Sequence, residues 1–225
     1  MKYLYILLLL SISVFGETHK HKKAKYVANI VPKNMTVQEK KERFFYLVAP
    51  AVEKVHNHLM KRYKRIAKDI KEGKELKEVN RLKALYQVKS DAALLQALKP
   101  HPQSIVLAQA AMESSWGTSR FFVEANNIFG VHSVDSKEPR IAASEKNGKR
   151  TVWLTKFKSI DDSVRAYYRI MSISKAFEKF RVARVQTDDP HLLVKALDRY
   201  SEIGDKYAKQ LSQVINHNNL TKYDD

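Results

Sequence analysis

The chain has 225 residues, 44% of them hydrophobic and 10% aromatic, which is enough to bury a core and too apolar for a disordered protein. It contains no cysteine, which excludes disulfides, cysteine metal sites and thiol nucleophiles. The formal charge of +17 is uneven, with +12 in residues 17–99 and +4 in residues 100–225, so an anionic envelope surface is a more natural partner than specific nucleic acid.

The first residues read as a targeting segment. Met1-Lys2 is a short basic start, and residues 3–15 form an apolar run shorter than the roughly 20 residues a membrane span needs. A signal peptide over residues 1–16 is expected, with Glu17 as mature start; an uncleaved anchor is the alternative. Residues 17–35 are a basic, loosely ordered lead-in, and its His19 and His21 read as part of a tail rather than a metal tract.

Thr36 with Glu39 forms a capping-box pattern. A long helix should follow, interrupted near Pro50 and ending around Gly73, with Phe44, Leu47, Val48, Ala51, Val55 and Leu59 on one face. A second helix is predicted over 75–88, and a third, capped by Asp91, stops before Pro100. Residues 36–99 thus form an N-terminal helical section, and residues 100–220 a second unit. From Pro102 to Ser115 the chain is apolar all round, which marks a buried helix. Thr118 or Ser119 can cap a short helix through 120–125, and residues 125–130 ("ANNIFG") read as a turn.

Residues 140–157 carry the one clear strand signal. Asn147-Gly148 predicts a tight hairpin turn that would place Glu145 opposite Arg150, near the tip. Ser159 caps the next helix, helical character continues through 175–184, Asp189-Pro190 opens another helix, and Asp205 opens the last.

Glu113 is the lone acid at the end of the apolar helix. The negative end of the helix and the apolar surroundings both disfavour its ionised form. A carboxylic acid that keeps its proton near neutral pH can protonate a leaving oxygen, as glycosidic cleavage requires, usually with a second carboxylate across the sugar ring. The competing reading pairs Glu113 with a Lys or Arg, or leaves it in solvent. Trp116 could stack on a sugar, and Asn126 and Asn127 could bind hydroxyl or acetamido groups; packing and turn roles are the alternatives.

The stretch "LAQAAMESSWGTSRF…EANNIFG" resembles the signature of the bacterial glucosaminidase family, most closely its Bax-type branch, and the likeness runs from about Arg43 to Ile215. The resemblance implies a mainly α fold of the lysozyme-like superfamily, with a small β-hairpin lobe and an additional N-terminal helical section. It implies a hydrolase of peptidoglycan glycan strands that cuts the β-1,4 bond after N-acetylglucosamine, needs no metal or cofactor, and works outside the cytoplasm. By position it makes Glu113 the general acid and Glu145 the second acid, with Glu138 as rival. Tyr200 becomes the family's tyrosine, with Tyr207 competing. Trp116, Asn126, Asn127 and Phe129 become substrate-binding residues. The chain departs from the family pattern at Ser115, where glycine is common, and at Val131-His132. A catalytically silent wall-binding protein on the same fold, or a basic helical protein acting at lipid or nucleic acid, are the competing functions.

Overall fold

The computed structural model describes residues 24–147, 150–197, 199–200 and 204–224; the segment assigned to a signal peptide and the first part of the lead-in lie outside them. Helix α1 (Val37–Glu72) begins at a reciprocal cap. The Thr36 hydroxyl accepts from the Glu39 amide at 3.2 Å, and the Glu39 carboxylate accepts from the Thr36 amide at 2.8 Å. It ends at Gly73, whose φ of 65° supplies the left-handed stop. The expected break at Pro50 does not occur. Pro50 lies on the exposed side of α1, so the Tyr46 carbonyl that loses its helical partner faces water rather than the core.

Helices α2 (Leu76–Tyr86) and α3 (Asp91–Leu98) fold back on the second half of α1, and Ile66, Val79, Leu82 and Leu94 close a small core between them. The cap of α3 is Ser90, whose hydroxyl accepts from Ala93, and Asp91, expected to be the cap, is the first helical residue. The first half of α1 belongs to a different, larger core. Phe44, Val48, Val52 and Val55 pack with α4 (Gln103–Glu113) and α6 (Ile160–Ile173). One long helix therefore spans both hydrophobic clusters.

Helix α4 is the centre of the molecule, with every residue from Gln103 to Ala111 buried. At about 1.5–3 kcal/mol for each fully buried Ile, Val or Leu side chain, this helix is held by packing. Its N-terminus has no cap of its own. The amide of Ser104 donates instead to the Asp224 carboxylate at 2.8 Å, brought there by the 3-10 turn Leu220–Tyr223. Helix α5 (Arg120–Ala125), capped by Ser119, follows, and then the hairpin β1 (Arg140–Asn147) and β2 (Arg150–Thr155). Helix α6 is capped by Ser159; α7 (Glu178–Gln186) and the short α8 (Pro190–Leu193) lead to α9 (Asp205–His217), which packs on α4.

The hairpin register departs from expectation. At the base Arg140 faces Thr155 and Ala142 faces Trp153, but at the tip Lys146 faces Thr151 and Asn147 faces Arg150. The irregularity between Ala142 and Lys146 places extra β1 residues, Glu145 among them, against a shorter piece of β2, so Glu145 is not the partner of Arg150. Residues 148–149 of the expected turn lie outside the described residues.

Candidate active site

The site is built where α4 stops. Glu113 is the last helical residue, and after Ser114 the residues Ser115, Trp116 and Gly117 have φ of 51°, 59° and 72°. Two consecutive non-glycine residues in the left-handed region cost on the order of 1–3 kcal/mol each and persist only where surroundings enforce them. Here the enforcement is visible. The Trp116 amide donates to the Ala111 carbonyl at 2.7 Å, and the buried Ser114 hydroxyl donates to Ala110 and accepts from the Gly117 amide at 2.8 Å. The Gly117 carbonyl accepts from Arg43 Nη1, also at 2.8 Å.

Arg43 is fully buried, and among the described residues its hydrogen bonds all go to carbonyl oxygens. Besides Gly117 it donates to Val27, Ala28 and Ile30, so this part of the lead-in is tied to α1. Burial pulls its pKa below the ordinary arginine value.

Glu113 sits above this turn. Although the residue as a whole is exposed, enough protein surrounds its carboxyl that burial raises its pKa. The Tyr207 hydroxyl on α9 donates to Oε1 at 3.1 Å and pulls partly the other way. Among the described residues Glu113 has no ion-pair partner within 4 Å. Gln109, one helical turn earlier on the same face of α4, donates from Nε2 to Tyr207 at 3.2 Å.

Of the two candidate tyrosines, Tyr207 touches the acid. Tyr200 stacks on the Tyr207 ring at 5.3 Å between centroids and 13° between planes. Trp116 is packed edge-on against Phe44 and Phe45, with the Lys41 ammonium 5.0 Å from its ring centre. The two asparagines have their amide groups committed within the fold. Asn126 Nδ2 donates to Phe157 and Lys158 carbonyls, and Asn127 is nearly inaccessible, bonded to Val131 through both amide atoms and to Thr155. They fasten the loop after α5 to the hairpin, which is why a turn-forming pair is needed there. Phe129 stacks on Tyr167 at 4.2 Å. Glu138 accepts a long hydrogen bond from the Thr155 hydroxyl. Glu145 lies on β1 within the irregular stretch, and its side chain is outside what the structure describes.

Arg43 and Gln109 were not singled out in the sequence. The spacing of Gln109 from Glu113 was a usable signal; the long-range contacts of Arg43 left none. A cleft of about 430 Å³ lies elsewhere, between α1, α3 and α6, lined by Lys54, Arg62, Arg165 and Arg169 over an apolar floor that includes Leu59 and Leu98.

The chain is similar to two bacterial relatives. It is 28% identical over 174 residues to the exo-glucosaminidase LytG of Bacillus subtilis, covering 71% of this chain and 60% of that one. It is 29% identical over 131 residues to the protein Bax of Escherichia coli, covering 56% and 46%. The chain thus spans about half the length of these relatives. Among solved structures, the catalytic domain of the autolysin Auto from Listeria monocytogenes aligns with a TM-score of 0.47 at 23% identity, over 65% of this chain and 97% of that one. A peptidoglycan hydrolase from Sphingomonas sp. A1 aligns with a TM-score of 0.44 at 23% identity, over 59% and 86%. The model of the glucosaminidase family, described as mannosyl-glycoprotein endo-beta-N-acetylglucosaminidase, matches residues 89–220, from the start of α3 through α4, the hairpin and α9, and the chain belongs to that family.

Proposed function

We propose that this chain is a peptidoglycan hydrolase that cleaves the β-1,4 bond after N-acetylglucosamine, with Glu113 as general acid. The observation that carries the reading is the state of that carboxyl: at the negative end of α4, its pKa raised by burial, with no ion-pair partner among the described residues. Tyr207 occupies Oε1 as a donor, which leaves Oε2 to hold the acid proton and pass it to the bridging oxygen as the sugar bond breaks. The oxocarbenium-like state is met from the opposite face by a second acid, assigned to Glu145 on the hairpin. That acid either activates water or supports the substrate's acetamido group. Glu138 is a weaker candidate because Thr155 already engages it.

Membership of the glucosaminidase family supports this reading, as does the name of the relative LytG. The apolar start of the sequence supports export to the cell envelope. The cationic cleft over α1 and α6 supports attachment to anionic envelope polymers.

Purified mature protein should release new reducing ends from peptidoglycan, and muropeptide mass spectrometry should find N-acetylglucosamine at the new reducing end. Glu113→Gln, folded by circular dichroism, should lose activity by about 10²-fold or more. Full activity in that variant refutes the assignment.

A further inference from the structure

A continuous series of hydrogen bonds crosses the core and ends on Glu113. It starts at Arg184 on α7, fully buried, which donates to the carbonyls of Gln96 and Ala97 at 2.9–3.2 Å and places Nη1 3.4 Å from His101 Nδ1. His101, also fully buried, has Nε2 2.8 Å from the Tyr167 hydroxyl on α6. Tyr167 bonds to Gln109 Oε1, Gln109 Nε2 bonds to Tyr207, and Tyr207 bonds to Glu113 Oε1.

The direction of every proton in this series follows from its first member. A guanidinium has donors and no acceptor, so His101 Nδ1 must accept. Burial beside Arg184 holds the His101 pKa well below its ordinary value, so the ring is neutral and its one proton sits on Nε2. Nε2 then donates to Tyr167, and the Tyr167 proton goes to Gln109 Oε1. The Gln109 amide is thereby oriented with its NH2 toward Tyr207, whose proton has Glu113 as its remaining acceptor. All five links point one way, from a buried cation toward the carboxyl.

We infer that Arg184, His101, Tyr167 and Gln109 are positioning residues that lock the Tyr207 proton onto Glu113 Oε1 and so assign the reacting proton to Oε2. That last clause rests on the proposed hydrolytic role; the locked orientation does not. Among the described residues the titratable groups that face the series are Tyr200 near Glu113, His56 on α1 and Tyr168 on α6 near His101, and Arg181, Tyr168 and Tyr86 near Arg184. The Arg184 pKa is itself drawn down to about 9 by burial, which still leaves it charged at neutral pH.

The test removes one link without removing a ring. Tyr167→Phe keeps the stack on Phe129 and deletes the hydroxyl, which frees Gln109 to rotate and take the Tyr207 proton. Glu113 then loses its donor. In a side-chain carbon NMR titration, its pKa should rise by about half a unit or more, and the basic limb of the pH–rate profile should move up with it. Tyr207→Phe should produce the same upward shift, and the double variant should add nothing to it, because the series acts through Tyr207. Nitrogen NMR of the unaltered protein should find His101 neutral and protonated on Nε2. A proton on Nδ1, a Tyr167→Phe titration that coincides with wild type, or additive shifts in the double variant would each overturn the inference. Shifted titrations in a protein that cuts no peptidoglycan would instead sink the hydrolase reading and leave the locked orientation standing.

Discussion

Replacing Arg43 with Met tests whether one buried guanidinium holds the turn beneath Glu113. The side chain makes four hydrogen bonds to carbonyl oxygens, at 2.8, 2.8, 3.1 and 3.2 Å, and Met of similar length removes all of them. Hydrogen bonds to a charged group contribute about 1.5–3 kcal/mol each. Three of the four acceptors lie in residues 27–30, which can swing into water once released and recover most of their solvation. The fourth, Gly117, is buried and cannot. About 3–5 kcal/mol of lost stability therefore follows: the stranded Gly117 carbonyl, the loss of lead-in packing, and the left-handed strain at Ser115 and Trp116 no longer opposed. Urea denaturation at fixed pH reads this directly. Limited proteolysis should show earlier cleavage between residues 24 and 35. Activity should fall more than stability at moderate temperature, because Glu113 stands one residue before the loosened turn. A loss below about 1 kcal/mol, with the lead-in still protected, would refute the assignment of Arg43 as anchor.

Gly117→Ala should destabilise the protein by about 1–3 kcal/mol, because the position has φ of 72° and the added methyl would sit 3.3 Å from the Phe122 ring; a thermal melt within one degree of wild type would contradict this. Asp224→Ala should cost about 0.5–2 kcal/mol by uncapping α4, measurable by denaturant titration, and Asp224→Asn should recover part of it. For Glu113 the sign of the pH effect is fixed by its raised pKa. The folded state holds that proton more tightly than the unfolded chain, so the carboxyl disfavours folding increasingly as pH rises from the unfolded pKa through the folded one. Glu113→Gln should therefore be as stable as wild type at acid pH and more stable at neutral pH. Greater loss of stability at neutral pH would mean that the carboxylate is held by a favourable partner.

Local signals in the sequence were enough for the elements whose causes are local. The capping box at Thr36, the stop at Gly73, the caps at Ser119, Ser159 and Asp189, and the all-round apolar pattern of α4 each involve neighbours within a turn or two, and each appears in the structure. The same locality exposed Glu113, since one acid on an apolar helix stands out without knowledge of its surroundings. Tertiary contacts decided the rest. Pro50 left α1 unbroken because of which side of the helix it faces, and the hairpin register slipped because two strands must agree. The cap of α4 came from Asp224, 120 residues away. Tyr207 rather than Tyr200 meets Glu113 because α9 lies against α4 at that height, a matter of packing that two tyrosines seven residues apart cannot announce. A lone carboxyl is visible in a string of letters, but the water it loses and the hydroxyl it gains depend on residues brought to it by the folding of the whole chain.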